Sequence, residues 1–369
     1  MFEYSNSPDI FLKEEDIPFG SNIIEAYTGA LKELFFINNP QWKKEDKAAQ
    51  ASLQKFLAKP GINPIWIYYS NEKIAVRTVP EKEYFKLRTS RNRDIITNGE
   101  QTRFRNTVVG IAGLSVGSAI VHALVMSGGP KKMKIADFDE IEITNLNRIR
   151  ANLRHIGENK THVAAQEIWS IDPFAQLNLF DNGLTVKNLE DFIITKPRLD
   201  IFIDEMDSLD LKIRSRLIAR EYGIPVLMAT DNGNSIILDI ERFDLEPKRK
   251  IFHGFIKDVE EINLESLNFN AWLKLATKIV GPEYLTERMQ DSLMNIGKKI
   301  SSVPQLGPTA AMAGTAIAFA VRQIANKYDL PSGRYGLGCE EKLIPEYNSK
   351  INIRKREERS REFIKKFRK

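Results

Sequence analysis

One cysteine, Cys339, and four histidines are all that this 369-residue chain offers to thiol and soft-metal chemistry. A lone thiol excludes an intramolecular disulfide and any Cys-x-x-Cys zinc pair. His122, His155, His162 and His253 lack metal-ligand spacing, and His122 falls in an apolar helix pattern where packing accounts for it. No Ser/His/Asp or Cys/His nucleophilic set stands out. Long apolar runs are missing too: none approaches the roughly 20 residues of a membrane span. The N-terminal "MFEYSNSPDIFLKEED" lacks a basic segment followed by a hydrophobic one, so a cytoplasmic protein is expected. Internal repeats and low-complexity tracts are also absent.

What is present is enough apolar residue, 42%, for one large core and a smaller one. The net charge is +5, but Arg354 to Lys369 alone sum to +6, so everything before them sums to −1. Basicity is a property of the tail. Its Phe363, Ile364 and Phe367 give a narrow apolar face to a terminal helix, expected to be solvated or frayed; attraction to nucleic acid or another acidic partner is the lesser reading.

Four regions separate along the chain. Residues 1–90 read as an accessory α+β unit. "SNIIEAYTGALKELFF" and "KKEDKAAQASLQKFLAK" carry helical spacing, and "IWIYYSNEKIAVRTV" reads as a hairpin. Residues 91–330 carry a Rossmann-like α/β pattern, a mostly parallel sheet with helices on both faces. Strand candidates fall at Leu177 to Phe180, Leu199 to Asp204 and Pro225 to Thr230, with a returning strand at Ser235 to Phe243. Within this region 245–303 reads as a charged, helical crossover, followed by an Ala/Gly-rich helix from Pro308 to Lys327 whose small residues suit tight intrachain packing. Residues 331–369 form a C-terminal segment with the basic tail.

The chemistry begins at "TVVGIAGLSVGSAIVHALVMSGG", an apolar strand, a small-residue turn and an apolar helix stopped by Gly128 and Gly129. "KMKIAD" returns as a second strand ending at Asp137. In such a βαβ unit the turn, here Gly113, Ser115 and Gly117, lets backbone approach a phosphate, and the acid about 20 residues on accepts ribose hydroxyls. An ordinary dinucleotide site leaves the following Asn145, Asn147 and Arg148 idle; a nucleoside triphosphate would employ them, Arg148 as a planar donor fork and Asn145 as an uncharged amide. Lys160 opens the next apolar-periodic helix, where a cation opposes the helix dipole unless an anion binds nearby. Solvation of Lys160, or pairing of Arg148 with Glu140 or Glu142, are the plain alternatives. Asp204 and Asp207 then sit at a strand's carboxyl end, where ligands of open parallel sheets collect. Asp207 is the chosen Mg²⁺ ligand, since that ion takes one or two carboxylates; Asp204 has a helix N-cap as its competing role, and Asp210 is expected to face solvent.

In this order the motifs resemble the ThiF/MoeB/HesA adenylyltransferases, relatives of ubiquitin-activating enzymes. The resemblance covers roughly residues 90–245, with a further match at Gln305 to Ile324. It implies that Asp137 binds ribose, that Asn145, Arg148 and Lys160 bind phosphate, and that Asp207 binds Mg²⁺. It also matches Arg93, in "SRNRDIITNGEQTRF", to an arginine that reaches ATP phosphates across a homodimer interface, with Arg91 the fallback.

The implied reaction is attack of a carboxylate on the α-phosphorus of ATP, giving an acyl-adenylate and pyrophosphate. The implied substrate is the C-terminus of a ubiquitin-like protein, then a short peptide, then a modified tRNA nucleoside. Thioester-forming members keep a cysteine in the crossover and many hold zinc cysteines; residues 231–303 here have none, so no zinc and a passive Cys339 are expected. The competing classes are an NAD-dependent oxidoreductase on the same βαβ unit and a catalytically idle nucleotide-binding scaffold.

Overall fold

Apolar alternation in "IWIYYSNEKIAVRTV" resolves into an antiparallel hairpin of Ile65–Tyr69 and Ile74–Thr78. In chain order the first elements are β1 (Asp9–Phe11), β2 (Asn22–Glu25), α1 (Tyr27–Asn38), α2 (Lys47–Ala58), then β3 and β4, the two hairpin strands. The sheet order is β1-β3-β4-β2. The computed structural model describes residues 7–257, 259, 262 and 269–368. One expectation is corrected: the stretch from Ser21, read as helical throughout, opens as β2, which pairs parallel with β4 from Asn22↔Ile74 to Glu25↔Arg77. The adjacent β-branched Ile23 and Ile24 favour an extended backbone, and pairing with an existing hairpin outweighs helical spacing.

Helices α3 (Glu81–Arg88) and α4 (Asn98–Asn106) lead into the larger sheet. A capping box starts α4, with Thr97 and Glu100 satisfying each other's backbone amides. Charge anchors this passage: Arg88 and Arg105 both grip the buried Asp172, at 3.0 and 2.7 Å, and the Tyr84 hydroxyl donates to the Ile171 carbonyl.

Seven strands follow: β5 (Val108–Ala112), β6 (Lys132–Ala136), β7 (Gln176–Phe180), β8 (Ile201–Asp204), β9 (Val226–Asn232), β10 (Ser235–Glu241) and β11 (Gly333–Gly338). Their order is β11-β10-β9-β8-β5-β6-β7. Strands β5 to β9 pair parallel, while β10 and β11 turn back antiparallel. This is the mostly parallel α/β sheet the sequence predicts; β11 lies outside every strand expectation because its GRYGLG has no apolar alternation.

The helices are α5 (Gly117–Met126), α6 (Lys160–Ile171), α7 (Leu189–Ile194), α8 (Leu209–Glu221), α9 (Phe269–Val280), α10 (Glu287–Asn295), α11 (Gly307–Ala325), α12 (Glu340–Leu343) and α13 (Lys350–Arg368). Alternate strand residues divide the core. Ile111, Ile135, Ile203, Leu227 and Ala229 face α5 and α11, while Ala112, Ala136, Phe202, Val226 and Met228 face α7, α8 and α9. The small residues of α11 do pack within the chain: a Cβ on Gly314 would stand 2.5 Å from the Ala119 carbonyl of α5.

The tail departs from expectation. Helix α13 is docked, with Phe363 only 5% exposed against Ile237, Leu285 and Met289 and with Arg359 paired to Asp291 on α10. One aromatic anchor and an ion pair hold what composition alone reads as solvated. The Ile364 and Phe367 parts of that apolar face differ: Ile364 lines a cavity, and the side chain of Phe367 lies outside the described residues.

Asp204 is no helix N-cap; Ser208 caps α8 instead. Fully buried, Asp204 pairs with Arg216 and Lys212, and Arg216 also donates to Glu241 at 2.6 Å. Burial pushes the Asp204 carboxyl up, but Lys212 and Arg216 overcome it and hold it below the usual carboxylate range. A depressed folded pKa contributes stability that is complete above the unfolded value, about 4, and is lost as pH falls through the folded one. Arg216→Met leaves Glu241 buried without its cation and Asp204 with Lys212 alone, and is expected to cost about 3–5 kcal/mol, read as a lower urea midpoint at pH 7 and a smaller deficit in acid.

Candidate functional site

The turn after β5 is held by an approach only glycine permits. Gly113 sits at φ +92°, and a Cβ there would stand 2.3 Å from the Glu205 carbonyl at the end of β8. The next amide, of Leu114, donates to Asp137 Oδ2 at 2.6 Å, while Asp137 Oδ1 accepts from Asp139 N at 2.9 Å. Asp137 is therefore oriented by the turn it faces. Burial raises its pKa, and Lys160 and the two amides oppose that rise. Each oxygen keeps a lone pair for a further donor.

Lys160, at the first turn of α6, is 7% exposed and bonds Asp139 Oδ2 at 2.7 Å. That excludes the solvated-lysine alternative. Asn159 caps the helix, its side chain accepting from Thr161 N, so the cation is held beside Asp137 at an N-terminus.

Arg148 meets the same turn at Ser115 and pairs with neither Glu140 nor Glu142. Its Nε donates to Ser115 Oγ at 2.9 Å, and its Nη1 donates to the Thr144 carbonyl at 3.1 Å and to Asn147 Oδ1 at 2.9 Å. Asn145 builds the turn beneath it. Its side-chain carbonyl accepts from Glu142 N, its backbone carbonyl accepts from Arg148 N, and its Nδ2 amide remains to donate. Burial lowers the Arg148 pKa while Asp231 and Asp207 raise it, so both carboxylates lie within its field.

The predicted residues thus form one continuous path. It runs from Lys160 through Asp139 and Asp137 to Leu114 and Ser115, then to Arg148, and reaches Asp207 through Arg148's field. Asp207 is exposed, just past β8. Gly117 starts α5 at the same turn. Arg93 and Arg91 do not join: both are exposed, and Arg93 Nη1 donates to the Ile37 carbonyl at 3.4 Å. Asp210 pairs with Arg214 on the surface of α8.

Four residues here escape sequence reasoning. Asp139 is the lysine's partner, hidden because acid is common after such a strand. Gln305 accepts from Ser115 Oγ at 3.1 Å and, through its carbonyl, from Asn147 Nδ2 at 2.8 Å. It comes from 190 positions downstream of Ser115. Glu205 accepts from Ala229 N at 2.8 Å, and burial pushes its carboxyl well above the usual range. Asp231 is 7% exposed near the end of β9, its pKa raised to about 6 by burial, with Arg148 and Gln305 opposing.

Asp207 lies four residues past Ile203 on β8 and Asp231 four past its partner Leu227 on β9, so two carboxylates end adjacent strands at the edge where Arg148 acts; Mg²⁺ takes one or two acids and completes its shell with other oxygens. Among the described residues no group of three or more His, Cys, Asp and Glu side chains could hold a metal alone. Cys339 is exposed and lies outside this path. A separate cavity of about 480 Å³, lined by Thr286, Leu337, Tyr347, Arg356 and Ile364 among others, includes none of the path. No helix of the described residues is long and apolar enough to cross a membrane.

Gly113→Ala adds a clash with backbone to a positive φ. We expect it to cost more than about 1–3 kcal/mol, measured by thermal unfolding, with faster hydrogen exchange at Leu114 N.

Comparison with known proteins places this geometry. Residues 89–337 match the ThiF family. Over 269 residues the chain is 35% identical to the uncharacterized protein MT1398 of Mycobacterium tuberculosis (strain CDC 1551 / Oshkosh), covering 73% of this chain and 37% of that one. It is 31% identical over 121 residues to tRNA threonylcarbamoyladenosine dehydratase 2 of Saccharomyces cerevisiae, covering 32% and 26%. The chain spans well under half the length of these relatives. Among solved structures, E. coli MccB with ATP has a similar fold, with a TM-score of 0.50, 16% identity, and coverage of 85% of this chain and 84% of that one. With the glycine turn, the oriented Asp137 and the Arg148 and Lys160 flanks lying inside the matched span, the chain belongs to the ThiF family.

Proposed function

We propose that this protein is an ATP- and Mg²⁺-dependent adenylyltransferase that activates a carboxylate. The observation that carries the reading is the path from Lys160 through Asp139 and Asp137 to Arg148, which links two cations to one backbone turn at the sheet's carboxyl edge. A triphosphate is the ligand that uses both cations; a dinucleotide would use one flank.

In this reading Asp137 accepts the ribose hydroxyls, already aimed by the Leu114 and Asp139 amides. The Gly113 to Gly117 turn brings backbone against the phosphates, and Asn145 Nδ2, Arg148 and Lys160 hold their oxygens. The substrate carboxylate, ionised at neutral pH, attacks the α-phosphorus; the acyl-adenylate forms and pyrophosphate leaves. No general base is required. Alignment and the neutralising of charge on departing pyrophosphate supply the rate. Mg²⁺ held by Asp207 would add positive charge at the same oxygens.

The carboxylate is proposed to be the C-terminus of a ubiquitin-like protein or peptide, with the activated acyl group passing to another molecule, since residues 231–303 hold no crossover cysteine. Similarity to a tRNA threonylcarbamoyladenosine dehydratase keeps a tRNA-borne carboxylate as the second reading. Arg93, exposed and outside its own protomer's path, is proposed to serve the site of the second subunit of a homodimer.

Exchange of labelled pyrophosphate into ATP, dependent on added carboxylate, tests the chemistry. Arg148→Ala and Lys160→Ala are each expected to lower it at least about a hundredfold. A protein that binds NAD⁺ with ATP-independent affinity, unmoved by Arg148→Ala, would be an oxidoreductase instead, and normal ATP affinity with no exchange would mark a scaffold. For the homodimer, mixing Arg93→Ala with Arg148→Ala protomers rebuilds one intact site per mixed dimer. Exchange should reappear on mixing two inactive preparations; no recovery once mixed dimers have formed would remove Arg93 from the site.

A further inference from the structure

The carboxyl edge of the sheet carries four acids on β8, β9 and the loop after β8, and the fold silences only two. Asp204 is matched by Arg216 and Lys212. Glu205 is partly buried, accepts from Ala229 N, and is driven toward its neutral form by desolvation. Asp207 and Asp231 are left, each four residues past the paired Ile203 and Leu227 at the ends of adjacent strands, with Arg148 acting on both.

Asp231 stands in an unusual position. On β9 it continues the row Leu227, Ala229, whose members face the α5 and α11 core. Strand β8 ends at Asp204 while β9 runs on to Asn232, so Asp231 overhangs its neighbour at the edge where Arg148 and Gln305 gather. It is 7% exposed, and neither carboxylate oxygen makes a hydrogen bond of good geometry among the described residues, although the Gln305 side chain stands near enough to oppose the rise in its pKa. Burying an unpartnered carboxylate costs free energy that an apolar residue at the end of this row would avoid. A triphosphate alone makes matters worse, because Asp137, Asp139, Asp207 and Asp231 already outnumber Lys160 and Arg148.

We infer that Asp231 is a second carboxylate ligand, beside Asp207, for the divalent cation that accompanies the triphosphate. This rests on the adenylyltransferase reading and extends it, giving the buried oxygens the partner they lack. The opposite signs expected for one substitution separate this role from a structural one. With ATP alone in EDTA, Asp231→Asn removes a repulsive charge, so ATP affinity measured by isothermal titration should be equal to or tighter than wild type. With Mn²⁺ as the probe, counted as free ion by electron paramagnetic resonance, the same variant should weaken Mn²⁺ binding to the protein–ATP complex at least tenfold. A Mn²⁺ affinity within twofold of wild type, or parallel weakening of ATP with and without Mn²⁺, overturns the inference. Failure of wild type to bind ATP in either medium defeats the adenylyltransferase reading itself, a distinct result. Urea unfolding checks that the variant is folded, and Asp231→Ser is measured the same way if the Asn variant is not.

Discussion

Everything at the candidate site hangs from one hydrogen bond, that of the Leu114 amide to Asp137. It joins the turn after β5 to the end of β6 and so sets the glycine turn and the Asp137 carboxylate in a single geometry. The bond exists because Gly113 can adopt a positive φ and pass against the Glu205 carbonyl with no Cβ. From that contact outward each flank is built by short local structure: the Asn159 cap presents Lys160, and the turn braced by Asn145 presents Arg148.

Charge is the second constraint, and it is handled by burial. A site for a polyanion cannot be surrounded by free carboxylates, yet β8 and β9 end in several. Pairing with buried arginine and lysine removes Asp204 from the field, and desolvation drives Glu205 toward its neutral form. Arg216 serves both the core and the candidate site in this way, tying β8, β10 and α8 together while cancelling a charge at the sheet's carboxyl edge. The same economy appears at Asp172, where two arginines join α3 and α4 to the end of α6.

Similarity to known proteins stops at the family and the fold. The ThiF match covers the large sheet, while the aligned part of each relative is well under half of that protein.

The sequence by itself determined the βαβ unit and the succession of strands along the chain, and it singled out Asp137, Arg148 and Lys160 as candidates, because each depends on spacing within some 20 residues, where local periodicity and turn chemistry decide. Only the tertiary structure decided the rest. The Asp139 partner of Lys160, the arrival of Gln305 at Ser115, the silencing of Asp204 and Glu205 and the overhang of Asp231 all depend on strand register and on helices that meet across long separations. The docked α13 and the unforeseen β11 follow the same rule: a weak local pattern becomes definite when a preformed sheet edge or apolar surface supplies its partner. Local sequence names chemical groups, but which charges face one another is fixed by packing, since desolvation and Coulomb energy depend on distance in space and not along the chain.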